Sequence, residues 1–287
     1  MKKRLFFRNK GIISYLFLVG IFIVVVFPNL FMLANSFMGE NEIMKHYGIL
    51  LSGNSDAHVN LYFIPEEVTL AGYFEVFLFS PRYLMKFWNS LFLSGSIVIG
   101  QTLVAICAGY GLAKFRFKGK NIVMFFIIIL TMMPQQVTLV PGFLVLDKMG
   151  LIGSYTAVIL PGVFTTFGTF LLSQVFSGVP DSLLEAAKID GANHWQLFQK
   201  IAVPYAKTGI AALVILCFID NWNMIEQALI YLRDSNKYPL SIFLSFINTN
   251  VLGVSFVCGI LTMIPVTILF LFLKDALIRG IEYTNLK

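Results

Sequence analysis

The chain has 287 residues, of which 57% are hydrophobic and only 13% charged, whereas a soluble domain carries about a quarter charged residues. With a mean hydropathy of +0.80, it holds too little polar surface to cover a water-facing globule. The formal charge of +6 sits in short basic runs between apolar segments rather than on one polar face, which excludes a nucleic-acid binder and fits membrane topology.

Met1–Lys10 is basic, and the apolar run Ile12–Ala34 follows. That run is too long for a secretory leader and no small-residue cleavage site closes it, so it is expected to stay as a spanning helix. A bilayer crossing needs roughly 20 mostly apolar residues, because lipid offers backbone groups no hydrogen-bond partner. Five further stretches qualify: Leu91–Leu112, Ile122–Leu144, Tyr155–Phe176, Gly209–Trp222 with its continuation, and Phe256–Leu277. The expected fold class is an all-α membrane protein with six transmembrane helices in one domain. Residues 1–88 give the first helix and a long outer loop, and 89–280 the core.

The outer loop, Gly39–Lys86, is rich in turn formers and acids and is expected to carry short amphipathic helices. Pro28, Pro134, Pro141, Pro161 and Pro265 fall within the spans, and each removes a backbone donor and is expected to bend or break its helix. Fifteen of the 21 Lys and Arg fall in the N-terminal ten residues, Lys114–Lys120, Lys188–Lys207 and the stretch from Lys274. That asymmetry places both termini in the cytoplasm. Cys107, Cys217 and Cys258 are far apart inside apolar runs, which suits helix-surface filling rather than a disulfide or zinc site.

Residues 177–206 do not belong in lipid. Pro180 and Asp181 stop the fourth span, and Ser182 stands three residues before Glu185, the spacing of a capping box. Gly191 follows where a left-handed residue would end that first helix. A second helix is expected from Asn193, with Gln196 three residues on, to Pro204. Leu197, Phe198, Ile201, Ala202 and Tyr205 form one stripe at the 3.6-residue period. By pattern alone this helix–glycine–helix knuckle is either an amphipathic hairpin resting on the membrane or a docking element whose small side chains admit a partner's backbone.

Glu185-Ala186-Ala187, Asp190-Gly191-Ala192 and Ile201-x-x-Pro204 resemble the EAA loop of ABC importer permeases. Asn89-Ser90-Leu91, YGLAKFRFKGKN from Tyr110, MPQQVTLVP from Met133, Gly150-Leu151-Ile152 and Ile159-Leu160-Pro161 are similar to the carbohydrate-uptake branch. Ile64-Pro65 with Thr69, Leu70 and Tyr73 fits its maltose-type second permease subunit. The resemblance implies a type I importer permease in a bacterial plasma membrane. In that family the loop is a coupling helix seated in a cleft of a cytoplasmic ATPase. A second permease completes the pathway, two ATPases pair beneath, and an external binding protein delivers the sugar or oligosaccharide. This chain would then bind no cofactor, ATP and Mg²⁺ belonging to the ATPases. Three departures stand out: Trp222 to Leu229 differs from the usual W-N-D-F-x-W-P-L, the tail Ile281–Lys287 lacks the basic glycine ending, and residues are added around Gly48–Asn60.

Asp220, Asn221, Asn223 and Glu226 interrupt the fifth span. Ionisable groups at membrane depth face a cavity or a polar neighbour, so all four are candidates for the pathway: Asp220 is expected there or between helices, and Glu226 either there or at the outer end of the span, in the headgroup region. Gly109-Tyr110-Gly111 matches a potassium-filter tripeptide but ends a full span, where a filter needs a re-entrant loop. No G-x-x-x-x-G-K-[ST] occurs, and His46, His58 and His194 are isolated, so neither a nucleotide site, a metal site nor a catalytic set is expected. Two other classes stay open: a secondary transporter, which would carry midplane ion-coupling acids in paired repeats, and a membrane scaffold, for which a glycine-hinged knuckle has no purpose.

Overall fold

The computed structural model describes residues 2–48, 62–79, 81–245 and 252–284, and all its regular secondary structure is helical. In chain order come α1 (Lys2–Asn35), α2 (Glu40–Tyr47), α3 (Ala71–Phe74) running into a π turn, and α4 (Pro81–Lys114). Next are α5 (Lys120–Met132), α6 (Gln135–Lys148), α7 (Thr156–Val163), α8 (Thr166–Ser177) and α9 (Asp181–Ile189). The one-turn α10 (His194–Gln196) leads through a π-helix, Leu197–Ala202, into α11 (Val203–Tyr205). The chain closes with α12 (Lys207–Trp222), α13 (Glu226–Leu232), α14 (Leu240–Ser245) and α15 (Leu252–Thr284).

Among the described residues, four segments are long and apolar enough to cross a membrane unaided: Ser14–Asn35, Arg82–Lys114, Thr156–Ser177 and Gly253–Ala276. Two bent helix pairs raise the number to six if each is one span. The expected third span, Ile122–Leu144, is one of these pairs: α5 and α6 meet at 104°. Met133 and Pro134 are both extended, with ψ 129 and 134. Pro134 has no amide hydrogen for the helix ladder, and its ring drives the preceding residue out of the helical region. Pro28, Pro141, Pro161 and Pro265 lie inside helices that continue past them. The fifth span likewise stops at Trp222, and α13 restarts at Glu226.

Contacts gather into two compact units, Met1–Leu84 with Leu244–Ile264, and Met85–Phe243 with Pro265–Lys287. The first is built around aromatic rings. Phe31 of α1 packs against Tyr47, Phe63 and Phe256 at centroid distances of 6.1, 5.4 and 6.1 Å, the edge-to-face separations that such rings favour. Lys45 of α2 pairs with Glu66 at 2.8 Å. His58 and the added residues from 49 to 60 lie outside the described residues, as do 285–287 of the tail.

The second unit is packed through its glycines. A Cβ on Gly109 of α4 would lie 2.9 Å from Leu172 Cβ and 3.0 Å from backbone atoms of Leu172 and Ser173 in α8. A Cβ on Gly209 of α12 would lie 2.5 Å from Val175. So α4 meets the backbone of α8, and α12 takes the Val175 side chain against its own backbone, approaches that glycine permits. At the other end of the unit, Asn89 accepts from Tyr155 (3.0 Å) and donates to the Asn236 carbonyl (2.7 Å), while Ser90 Oγ accepts from the Leu240 amide at 2.7 Å. The Asn89-Ser90 pair is thus a tie between α4 and the α13–α14 connection.

Candidate functional site

The knuckle is built by local rules. Gly191 has φ +86. Its amide donates to the Lys188 carbonyl (3.0 Å) and the Ala192 amide to that of Ala187 (2.9 Å), the paired bonds of a Schellman ending that satisfy the last carbonyls of α9. Two residues on, Asn193 Oδ1 accepts from the Gln196 amide (2.8 Å) and Gln196 Oε1 from the Asn193 amide (2.9 Å), a complete capping box. One helix is thus ended and the next begun within a few residues, and the angle between the arms is set by hydrogen bonds.

Two expectations for the knuckle need correcting. Ser182 does not cap α9: the N-cap is Pro180, extended at ψ 129, with no side-chain cap bond. The helix begins one residue earlier than Ser182 because Pro180 leads straight into Asp181, which puts Ser182 and Glu185 within the helix. Nor is the second arm a uniform α-helix. Pro204 cannot donate to the Lys200 carbonyl, and the ladder widens into the π turn, where the Val203 amide reaches Phe198 O. The extra residue per turn carries Tyr205 off the buried stripe; it is 51% exposed, whereas Leu197 and Ala202 are buried at 1% and 0%.

The outer rim of the knuckle is mostly exposed. Glu185, Ala186, Asp190 and Gly191 are exposed, Ala187, Ala192 and Ile201 are half-buried, and Pro204 is exposed. Ile189 is 87% exposed and Trp195 61%. A Cβ on Gly191 would meet nothing of this chain within 4 Å. The underside is fixed to α4: Lys114 Nζ donates to the Val179 carbonyl (2.6 Å) and to Asp181 Oδ1 (2.7 Å). That bond, and then the lysine charge, hold the Asp181 carboxyl below its usual range. Tyr110 packs against Phe176 and Phe198 at 5.5 and 5.0 Å.

The second feature is a cavity of about 340 Å³ lined by Gln101, Gln135, Gly162, Thr165, Phe167, Leu216, Cys217, Asp220 and Asn221. A neighbouring one of about 280 Å³ shares Gln135, Asp220 and Asn221 and adds Gln136, Asn223, Met224, Ile225, Glu226 and Gln227. All four residues singled out in the fifth span are therefore brought together. Gln101 stands near the middle of the Arg82–Lys114 span, and it donates to Thr165 Oγ1 at the break between α7 and α8. Gln135 sits at the α5–α6 bend. Three interruptions of helix thus border two adjoining cavities that share Gln135, Asp220 and Asn221, and irregular backbone within a membrane protein is tolerated where it lines a cavity. Asp220 has no cationic partner among the described residues. On a lipid-facing surface a carboxylate would cost about 2.5–3.5 kcal/mol, and the amide-lined cavity supplies the alternative.

Gln101, Gln135, Gln136, Thr165 and Gln227 escaped the sequence reading as cavity residues. Gln101 and the Gln135–Gln136 pair were visible as uncharged polar groups inside otherwise apolar runs, a signal weaker than a carboxylate.

Residues 101–283 match the family described as the binding-protein-dependent transport system inner membrane component. The chain belongs to that family. The matched stretch includes the knuckle and both cavities. This permease is 30% identical over 286 residues to the arabinooligosaccharides transport system permease protein AraQ of Halalkalibacterium halodurans, covering 98% of this chain and 99% of the relative. It is 32% identical over 207 residues to the sn-glycerol-3-phosphate transport system permease protein UgpE of Yersinia pestis, covering 70% and 74%. Its fold is that of an ABC importer permease: a chain of a bacterial ABC transporter involved in the import of the acidic polysaccharide alginate superposes with a TM-score of 0.78 at 21% identity, covering 93% of this chain and 96% of the other.

Proposed function

We propose that this permease forms half of the translocation pathway of an ATP-driven importer for a neutral sugar or oligosaccharide, and that the knuckle couples it to a cytoplasmic ATPase. The other half comes from a second permease, the ATPases form a pair, and a binding protein delivers the solute from outside. Both termini and the knuckle lie on the cytoplasmic side of a bacterial plasma membrane, the side to which fifteen of the 21 basic residues fall.

The observation that carries this reading is the knuckle. Its angle is fixed by the Schellman and capping-box bonds, yet Ala186 and Lys188–Gly191 on its rim are exposed, Ile189 by 87%. An exposed apolar side chain on so rigid a turn suits a protein partner. Sugar as the solute is supported by the AraQ likeness and by the cavities, whose amides, hydroxyl and carboxylates are hydrogen-bond partners for hydroxyl groups. Asp220 and Glu226 face that space with no lysine or arginine beside them, which disfavours an anionic solute.

Gly191→Val and Ala187→Asp test the coupling. A β-branched residue tolerates positive φ poorly, and a carboxylate on a docking surface is costly to bury unpaired. Purified with its partners, each variant should assemble with the second permease, bind ATPase weakly or hydrolyse ATP without stimulation, and take up little sugar. Wild-type uptake with normally stimulated hydrolysis in both would reduce the knuckle to a surface hairpin.

A further inference from the structure

Lys114 and Tyr110 lie one turn apart on the same face of α4, and between them they hold both arms of the knuckle. Lys114 is 10% exposed at its side chain, and its ammonium binds the two residues that flank Pro180, the N-cap of α9: the carbonyl of buried Val179 and the carboxylate of Asp181. Tyr110 fits between Phe176 at the end of α8 and Phe198 in the π turn beneath the second arm. Gly109, beside it, sets α4 against the backbone of Leu172 and Ser173. The glycine–tyrosine–glycine tripeptide thereby has a place: one glycine permits the approach and the tyrosine fills the joint.

We propose that Lys114 is a positioning residue that ties the knuckle to α4, and that α4 carries displacement of the knuckle to the cavity wall at Gln101. The helix is suited to this. It runs without an interior proline from Pro81 to Lys114, and thirteen residues at the helical rise put Gln101 about 20 Å from Lys114. There the Gln101 amide is bonded to Thr165 Oγ1, at the break where α7 meets α8. Any movement that draws Val179 and Asp181 away must pull Lys114 with it or leave a buried carbonyl and ammonium without partners, which is expensive. Coupling through packed elements requires a measured interaction, not adjacency alone.

The inference rests on the coupling role given to the knuckle, and the test separates the two. The complete transporter is placed in proteoliposomes, and uptake and solute-stimulated ATP hydrolysis are measured together. Lys114→Met should lower uptake about tenfold, the factor a charge-assisted hydrogen bond to a buried group is worth, while hydrolysis stays within about twofold, so ATP spent per sugar rises. Lys114→Arg keeps the donors and should restore the ratio. Asp181→Asn, at an exposed carboxylate, should raise it less. If Lys114→Met keeps the wild-type ratio, or if uptake and hydrolysis fall together and Lys114→Arg fails equally, the inference is overturned. Should Lys114→Met not assemble, Asp181→Asn decides: a raised ratio supports the tie and a wild-type ratio overturns it. Gly191→Val in the same preparation marks the boundary. If it uncouples while Lys114→Met does not, the knuckle keeps its role and only the α4 tie falls; if it too is without effect, both readings fall.

Discussion

The knuckle and the polar cavity answer differently to the chain that makes them. The knuckle is assembled from one consecutive stretch, residues 181–205, and its shape follows from a left-handed glycine, two Schellman bonds and an Asn–Gln capping box. The cavity takes side chains from α4, the α5–α6 bend, the α7–α8 break and α12, and no two of these are neighbours in sequence. A local structure can be damaged at one residue without disturbing the rest of the fold. A convergent one depends on the walls that bring its parts together. The glycines show the same contrast: Gly191 opens onto empty space, whereas Gly109 is hemmed in by backbone.

Substitutions at those two glycines should split this comparison most widely. Gly109→Val must push α8 away from α4 at Leu172 and Ser173, and overpacking of this kind costs about 1–3 kcal/mol or more. It should reduce the yield of folded, assembled permease, read by size-exclusion of the solubilised protein. Gly191→Val carries backbone strain of roughly 1–2 kcal/mol with no clash, so assembled protein should persist while uptake is lost. Equal yields of the two variants would remove the distinction between framework and joint.

Asp220→Leu should come next, lowering uptake about tenfold while assembly and ATPase association are kept, because a carboxylate without a cationic partner is retained for a polar cavity rather than for packing. Asp220→Asn, which keeps the size and part of the hydrogen bonding, should lose less. Unchanged uptake in Asp220→Leu would take that residue out of the path. Asn193→Ala should cost about 1 kcal/mol through the lost cap, seen as faster amide exchange at the start of the second arm with little change in melting of the spans.

The smallest effect concerns acid. Asp181 has a depressed pKa, from the Lys114 hydrogen bond first and its charge second. Such a carboxylate contributes stability that is present above its unfolded value, near about pH 4, and is lost as pH falls through the lower folded value. The tie between α4 and α9 should therefore be constant down to about pH 5 and weaken only in stronger acid. Trp195 fluorescence can follow it, and Asp181→Asn should remove that acid-dependent change. Because Asp181 is solvent-exposed, high salt should shrink the effect as well.

The sequence by itself determined the membrane class, the number of apolar runs and the knuckle, because each follows from the order of neighbouring residues. Lipid demands a minimum apolar length, and Gly191, Asn193 and Gln196 act on bonds between near neighbours. It misassigned the cap at Ser182 because a capping spacing is satisfied wherever serine precedes glutamate by three, while Pro180 had already set the backbone. It placed α5 and α6 in one span with a bend expected at Pro134, and the helices do meet there at 104°; the size of that turn, and the survival of the helices through Pro28, Pro141, Pro161 and Pro265, no proline encodes by itself. Only the tertiary structure decided which polar residues share a space. Gln101, Thr165, Gln135 and Asp220 meet because glycine contacts bring α4 and α12 against α8 and because helices break at Pro134 and between Val163 and Thr166. That convergence depends on distances between segments far apart in the chain, which no local period encodes.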